Sequence, residues 1–585
     1  MDESLDVTPT PTFDTLPYKR AAFGTLGEAL DYAALGQKGM NFHDARADLT
    51  RAYLYADIAA DARRQALRLI ADGIIPGDRV ALIAETGAGF AAAFFAAIYA
   101  GALPVPLPLP TSFGGREAYV DQIATQLRSC DPKLVLSSEG LFAMVEQAAA
   151  GLCAAHDWAV YFADTAAAAS LPTAKSTDIA YLQYSSGSTR FPHGVAVTHE
   201  ALLANLAGHA HCMEAGKGDR VVSWLPWYHD MGLVGCMLAP LANQISVDYL
   251  ATEDFARRPL SWLTLISRNP DATLSYSPTF GYDICARRIS PSINVAERFD
   301  LSRWRVAGNG ADMIRPEVMQ AFVDVFAVAG FKASAFLPSY GLAEATLAVT
   351  IMPLGEGIVS DLIDERTLSG GSSARPGSKA NPRRPTRYRA IVNCGKAVPG
   401  LTIEVCGEDG AILPDRQIGR IYVRGLGVMA GYFRDPEATA AALSPDGWLD
   451  TGDMGYLSAG SIFLVGRAKD MIIINGKNHW PQDIEWAIEQ LPGFKAGDIA
   501  AFAITTPSGE ESPAVLVQCR TSDVVERNTL REAIRSKVRA ITGMTCVVEL
   551  VPPRTLPKTS SGKLSRSKAR SQYLSGEIQP FDVAA

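Results

Sequence analysis

A chain of 585 residues is too long for one compact core, so it divides into a large part and at least one smaller one. A hydrophobic fraction of 48% with 20% charged residues describes a folded soluble protein, and a formal net charge of -8 gives no general reason to expect a nucleic-acid partner. Nine cysteines, scattered from Cys130 to Cys546 without a C-x-x-C pair, argue against a zinc ribbon or a disulfide framework and suit a reducing cytoplasm.

The opening "MDESLDVTPTPTFDTLPYKR" is acidic, contains prolines and lacks an apolar stretch, so residues 1–20 are expected to form a flexible tail rather than a signal peptide or anchor. From Arg51 to Thr350, apolar runs such as "RVALIA", "KLVLSS", "RVVSWL" and "ATLSYS" alternate with helical patterns such as "EAYVDQIATQLRSC" and "PEVMQAFVDVFAVAG". That alternation predicts an α/β domain with largely parallel, buried sheets. The run "GAGFAAAFFAAIYAGALPVPLPLP" from Gly87 approaches the length of a membrane span, but it is rich in Ala and Gly and stops at a proline cluster. It reads as a buried helix leading into a strand, and no transmembrane segment is expected. His209 and His211, with no acidic cluster nearby, read as ordinary helix residues rather than metal ligands.

Between Gly370 and Arg389 the chain carries six Arg or Lys and no acid, a composition that cannot form a core and marks a surface loop or insertion. Short strand-like pieces follow, "LTIEVCG" and "GRIYVRG", suggesting a small β region. Beyond "FLVGRAKDMIIINGKN" lie a helix after Pro481, strands in "IAAFAITT" and "PAVLVQC", and a helix from about Asn528, enough for a compact α+β domain.

One loop stands out for its chemistry. In "YLQYSSGSTRFPHGV", Ser185, Ser186, Gly187, Ser188 and Thr189 are small, so backbone N–H groups can close around an anion while hydroxyls add donors. No lysine lies between Tyr181 and Glu200, so the common phosphate-loop pattern is not met, and an ordinary polar turn is the alternative.

Taken in order, "YSSGSTRFPHGV", "WLPWYHDMGL", "NGADMI", "YGLAEAT", "GWLDTGDMGYL", "VGRAKDMIIINGKN" and "LPKTSSGKLSR" resemble the acyl-adenylate-forming superfamily, across nearly the whole chain. Arg190 after the loop and the extra segment at about 356–390 make the chain most similar to fatty acyl-AMP ligases within it. The resemblance implies a large N-terminal AMP-binding domain, residues 21–468, with two α/β subdomains and a small β region. A smaller mobile α+β domain, residues 469–585, follows it. It further implies a cytoplasmic ligase that uses ATP and Mg2+ to activate a fatty acid and passes the acyl group to an acyl carrier protein supplied in trans. A fatty acyl-CoA synthetase is the alternative, and an inactive nucleotide-binding scaffold a more distant one.

Residue by residue, the resemblance places the Ser185–Thr189 loop around the β- and γ-phosphates of ATP, with His193 where the family often has lysine. It makes Glu344 the magnesium ligand, a hard oxygen donor suited to that ion. Gly310, Ala311 and Asp312 form one adenine wall, and Tyr340 and Gly341 the other. Asp453 takes the ribose hydroxyls with Arg467 nearby. Lys563 is matched to the lysine that joins carboxylate to α-phosphate, with Lys558 as its competitor. Lys469 falls at the domain hinge, and His229 at the gate between acyl and thiol sites. Tyr276 and Phe280 are candidates for the acyl wall, with core packing the alternative.

Overall fold

The computed structural model describes residues 8–110, 115–163, 170–184, 193–364, 367–368, 373–375, 388–474, 477–495, 497–505, 511–559 and 563–581. Its backbone is a nine-stranded sheet whose six central strands run parallel, in the order Phe336–Gly341, Trp304–Asn309, Ala272–Ser277, Asp219–Ser223, Ser246–Leu250 and Gly39–His43. Two of them, Asp219–Ser223 and Ala272–Ser277, fall on the apolar runs "RVVSWL" and "ATLSYS" and are buried almost throughout, as parallel strands covered on both faces are. Antiparallel strands Ala348–Ile351 and Leu49–Leu54 flank the parallel core.

A second, wholly parallel sheet has four strands in the order Leu103–Leu107, Arg79–Ile83, Leu134–Ser137 and Ala154–Asp157. The alanine-rich run forms the helix Ala88–Tyr99, buried around its circumference, and then the strand Leu103–Leu107. Pro104 and Pro106 are tolerated there because that strand lies at the sheet edge, where a missing N–H breaks no ladder. No helix among the described residues is long and apolar enough to cross a membrane.

The small β region is an antiparallel sheet of Leu401–Cys406, Gly419–Gly425, Leu449–Ser458 and Ser461–Arg467. The last part of the chain builds a three-stranded sheet, Ile499–Thr505, Glu511–Gln518 and Val547–Val551, under the helices Pro481–Glu489, Val524–Thr542 and Arg566–Leu574. The long helix begins before Asn528, because the Asp523 side chain accepts hydrogen bonds from the Val525 and Glu526 N–H groups and caps it.

One expectation is corrected. Residues 8–20 are not a free tail: Thr10 is buried, its N–H donates to Asn41 Oδ1 at 2.9 Å, and its carbonyl accepts from Arg220 at 2.8 Å. Buried polar groups on the sheet need those partners, and the segment supplies them. The insertion, in turn, is a built element where it is described. Strand Ser360–Asp364 pairs antiparallel with Tyr388–Val392, and Ile363, Leu368, Ala374 and Ile391 share a core with Tyr456, Phe463 and Trp480. Trp480 Nε1 donates to Leu368 O at 2.7 Å, and Arg389 pairs with Asp483 at 3.2 Å, so the insertion grips the start of the C-terminal part. Arg383, Arg384 and Arg387 lie outside the described residues.

Candidate active site

The parallel strands Ala272–Ser277, Trp304–Asn309 and Phe336–Gly341 end side by side, and a crevice beyond the carboxyl ends of such strands is where open α/β sheets bind ligands. A cavity of about 480 Å³ opens there, lined among others by His193, His209, His229, Asp230, Tyr276, Gly310, Ala311, Tyr340, Gly341, Glu344, Arg467, Lys469 and Lys563. A larger cleft runs alongside and shares His229, Tyr340, Arg467 and Lys563 with it. Residues separated by hundreds of positions thus meet around one cavity.

Lys563 reaches the cavity from the far end of the chain. Its Nζ donates to the carbonyl of Ala311, a residue held at a left-handed φ of 68°. A non-glycine residue there carries strain that the surroundings must hold, a feature concentrated at functional sites. Burial lowers the Lys563 pKa, while the carboxylates of Asp312 and Asp230 oppose that shift. Lys558 lines only the larger cleft, which leaves Lys563 as the lysine of the cavity.

Opposite it, Glu344 sits on a short 3-10 turn, Ala343–Ala345, and accepts a hydrogen bond from Tyr432 Oη at 3.0 Å. Burial raises its pKa. The turn is fixed by Asn205, whose Nδ2 donates to the carbonyls of Ala345 at 3.2 Å and Ala348 at 2.8 Å. Among the described residues no group of three or more His, Cys, Asp or Glu side chains is arranged to hold a metal.

The expected ribose group is assembled differently in detail. Tyr340 Oη donates to Asp453 at 2.8 Å, and Arg467 Nε approaches the other Asp453 oxygen at 3.3 Å. The tyrosine therefore orients the carboxylate as well as lining the cavity. Burial raises the Asp453 pKa against the opposing influence of Arg467 and Tyr340, and Asp453 in turn raises that of Arg467. Burial lowers the pKa of Lys469, two residues on. Gly341 has no room for a side chain, since a Cβ would lie 1.8 Å from Leu347 O.

Gly310 and Ala311 line the cavity, but Asp312 does not. Its carboxylate accepts from Thr279 N at 3.1 Å and Oγ1 at 3.0 Å, which ties it to the start of the helix Thr279–Arg287. His229 Nδ1 lies 2.6 Å from Asp230 Oδ1. The two acyl-wall candidates part company: Tyr276 is buried and lines the cavity, whereas Phe280 is half-exposed, lines the larger cleft and packs edge-on to Trp224. Ser185, Ser186, Gly187, Ser188, Thr189 and Arg190 lie outside the described residues.

Three further groups escaped the sequence. Asp230 faces Lys563, and only its place beside His229 hinted at it. His193 Nδ1 lies 3.0 Å from Asp435, and its ring centroid lies 4.9 Å from that of Tyr432, which bonds Glu344. The position that resemblance reads as a lost lysine is thus joined to the Glu344 carboxylate. Asp435 and Tyr432 carry no local signal that would have singled them out.

Comparison with known proteins accords with this geometry. A family model described as "AMP-binding enzyme" matches residues 37–433. A Caulobacter vibrioides protein named "Putative acyl-CoA synthetase" is 47% identical over 98% of this chain and 99% of its own. The long-chain-fatty-acid–AMP ligase FadD32 of Mycolicibacterium smegmatis is 30% identical over 94% of this chain and 93% of its own. A solved structure from a study of fatty acyl-adenylate ligases of E. coli and L. pneumophila superposes with a TM-score of 0.90 at 42% identity, covering 96% of this chain and all of that one, 100%.

Proposed function

The chain belongs to the AMP-binding enzyme family, and within it we propose a fatty acyl-AMP ligase that loads a carrier protein. The observation that carries this reading is the meeting of Lys563, Glu344, Tyr340 and Arg467 around one cavity, with Asp453 bonded to the tyrosine and paired with the arginine. In the first step the fatty carboxylate oxygen attacks the α-phosphorus of ATP, and the bond to pyrophosphate breaks. Two anions must be brought together, so positioning and cationic stabilisation supply the catalysis. Lys563 Nζ bridges the carboxylate and the α-phosphate, and Asp453 with Arg467 fixes the ribose. When bound, Mg2+ neutralises phosphate charge. Glu344 with ATP oxygens and water suits an ion that keeps several waters and takes one or two protein carboxylates.

In the second step a phosphopantetheine thiol attacks the acyl carbonyl and AMP leaves. Lys563 must withdraw first, by rotation of the C-terminal part about Lys469. The grip of the insertion on Trp480 and Asp483 supports a restricted rotation and hence a carrier protein rather than free coenzyme A as acceptor. The name of the Caulobacter relative supports the second reading, acyl-CoA synthesis.

Incubation with ATP, Mg2+ and dodecanoate, followed by coenzyme A and phosphopantetheinylated carrier protein in parallel and mass spectrometry, separates the two. Transfer to the carrier alone is expected. Efficient acyl-CoA formation would replace the proposal with the second reading.

A further inference from the structure

One short segment holds two groups of the cavity at once. Met429 N donates to the Glu344 carbonyl at 2.9 Å, and Tyr432 Oη donates to the Glu344 carboxylate at 3.0 Å. Three residues further on, Asp435 turns one carboxylate oxygen to the Ala438 N–H at 2.9 Å and the other to His193 Nδ1 at 3.0 Å. The same segment is stitched to the strand that begins after His193, since Ala430 N donates to Ala196 O at 2.9 Å and Phe433 N to Gly194 O at 2.7 Å. Glu344 and His193 are therefore held relative to one another, bridged by the Tyr432 ring, whose centroid lies 4.9 Å from that of the imidazole.

An ionised carboxylate only accepts hydrogen bonds, so Asp435 fixes a proton on Nδ1 of His193. The His193 side chain keeps 26% of its surface accessible and lines the cavity, and the nitrogen it has left for a ligand is Nε2. In the neutral ring Nε2 is a lone pair, which an anionic oxygen repels. In the imidazolium it is a second N–H donor, and the carboxylate of Asp435 favours that form. Of the other described titratable groups around the ring, Tyr432 lies beside it, while Tyr184 and Glu344 share the cavity wall. Arg434, next to Asp435 in the chain, turns away to Asp131 at 2.7 Å and does not oppose a charge on the ring. The pair is arranged to take a proton together with an anion.

We propose that His193 is a further nucleotide-binding residue, donating Nε2–H to a terminal phosphate oxygen of ATP, with Asp435 as the positioning residue behind it. This rests on the adenylation reading, which brings the triphosphate to the Glu344 end of the cavity. ATP then binds with uptake of a proton from solvent at Nε2, and the ring can return that proton once pyrophosphate has left. AMP has no terminal phosphate to reach the ring, so its binding takes up no proton there. The cation is in this way supplied with the nucleotide instead of being fixed in the empty site, which leaves His193 and Asp435 as the pair that tells ATP from AMP.

The test is isothermal titration calorimetry of the full chain with MgATP and with AMP, each in two buffers of different ionisation enthalpy. At about pH 7.5 an ordinary imidazole, with a pKa of about 6.5, is mostly neutral. We expect MgATP to bind with uptake of about half a proton or more and AMP with none. In H193Q the uptake vanishes, and the affinity for MgATP relative to AMP falls by about tenfold, the scale of a hydrogen bond to a charged group. D435N, in which asparagine still caps the helix Pro436–Ala442, lowers the uptake without removing the imidazole. Each variant is checked for a parental Tm. Equal proton exchange with MgATP and AMP, or uptake and relative affinity that persist in H193Q, overturns the role of His193 alone where ATP–pyrophosphate exchange with dodecanoate is present. Absence of exchange with any fatty acid overturns the adenylation reading and the role of His193 with it.

Discussion

Removing the Arg389 guanidinium tests whether the insertion holds the C-terminal part in place. Its side chain is 5% exposed and pairs with Asp483 at 3.2 Å. It also donates to Val465 O at 3.0 Å and lies 5.6 Å from the Trp486 ring centroid, a ring that Arg315 approaches at 5.4 Å. At an effective dielectric of about 20 the bare attraction of such a pair is about 5 kcal/mol, most of which offsets desolvation. R389A strands Asp483, whose pKa burial already raises. Because Asp483 keeps 21% of its side-chain surface in water, we expect the low end of the cost of breaking a buried pair, about 3 kcal/mol. Guanidinium unfolding followed by tryptophan fluorescence reads this directly, since Trp480 and Trp486 flank the contact. The double variant R389A/D483N should cost less than the sum of the single variants by about 1 kcal/mol or more. Loosening the grip should also raise acyl transfer to coenzyme A relative to the carrier protein. An R389A transition within about 0.5 kcal/mol of the parent, the range of an ordinary surface substitution, would refute the argument.

K563A should lower ATP–pyrophosphate exchange by about a thousandfold, the scale of removing one charge-stabilising group from an active site, while nucleotide binding measured by calorimetry persists. The alkaline limb of kcat/KM should fall below the 10.5 of a solvent lysine, because burial lowers the Lys563 pKa and the bridging cation is lost as pH rises through it; an unchanged limb in K563R would count against Lys563 as its source. Y432F removes the hydroxyl that holds Glu344, and the Mg2+ concentration for half-maximal rate should rise by about tenfold. His199 accepts from Leu26 N at 3.1 Å and burial pushes its pKa from 6.5 down to about 4, so the folded state refuses a proton that the unfolded chain takes. Stability is therefore complete above 6.5 and falls toward 4, by about 2 kcal/mol at pH 5, and H199N should flatten that part of the urea-midpoint profile.

Much of the fold is legible in the sequence because burial leaves a periodic trace. The strand "ATLSYS" and the alanine-rich helix after Gly87 lie where apolar patterning puts them. The docking of residues 8–20 leaves no such trace, because Asn41 and Arg220, the groups that hold Thr10, belong to strands that carry no mark of needing a partner. In the site, Glu344, Tyr340, Asp453 and Lys563 stand in motifs, and the fold brings them to one cavity or its wall. The Asp435–His193 contact spans 242 positions, and nothing local joins its ends. His209 shows the same limit: helical spacing identifies the helix, but only the packed structure shows that its side chain reaches the cavity wall.

The charges of the cavity explain why its lysine is held as it is. Asp453 is bonded to Tyr340 and Arg467, Asp230 to His229, and Glu344 to Tyr432, so these carboxylates are occupied before any substrate arrives. Lys563 is different: its Nζ donates to a neutral carbonyl, that of Ala311. Asp312 and Asp230 draw on it from a distance, which supports its charge against burial without fixing it in an ion pair. Had it been locked to a carboxylate, an incoming anion would have to break a buried pair at a cost of several kcal/mol before using it. Held by a strained backbone carbonyl, it is free to transfer its bonds to substrate oxygens and, later, to leave. The same weak tether suits both halves of the proposed reaction, in which this one cation would first arrive and then withdraw.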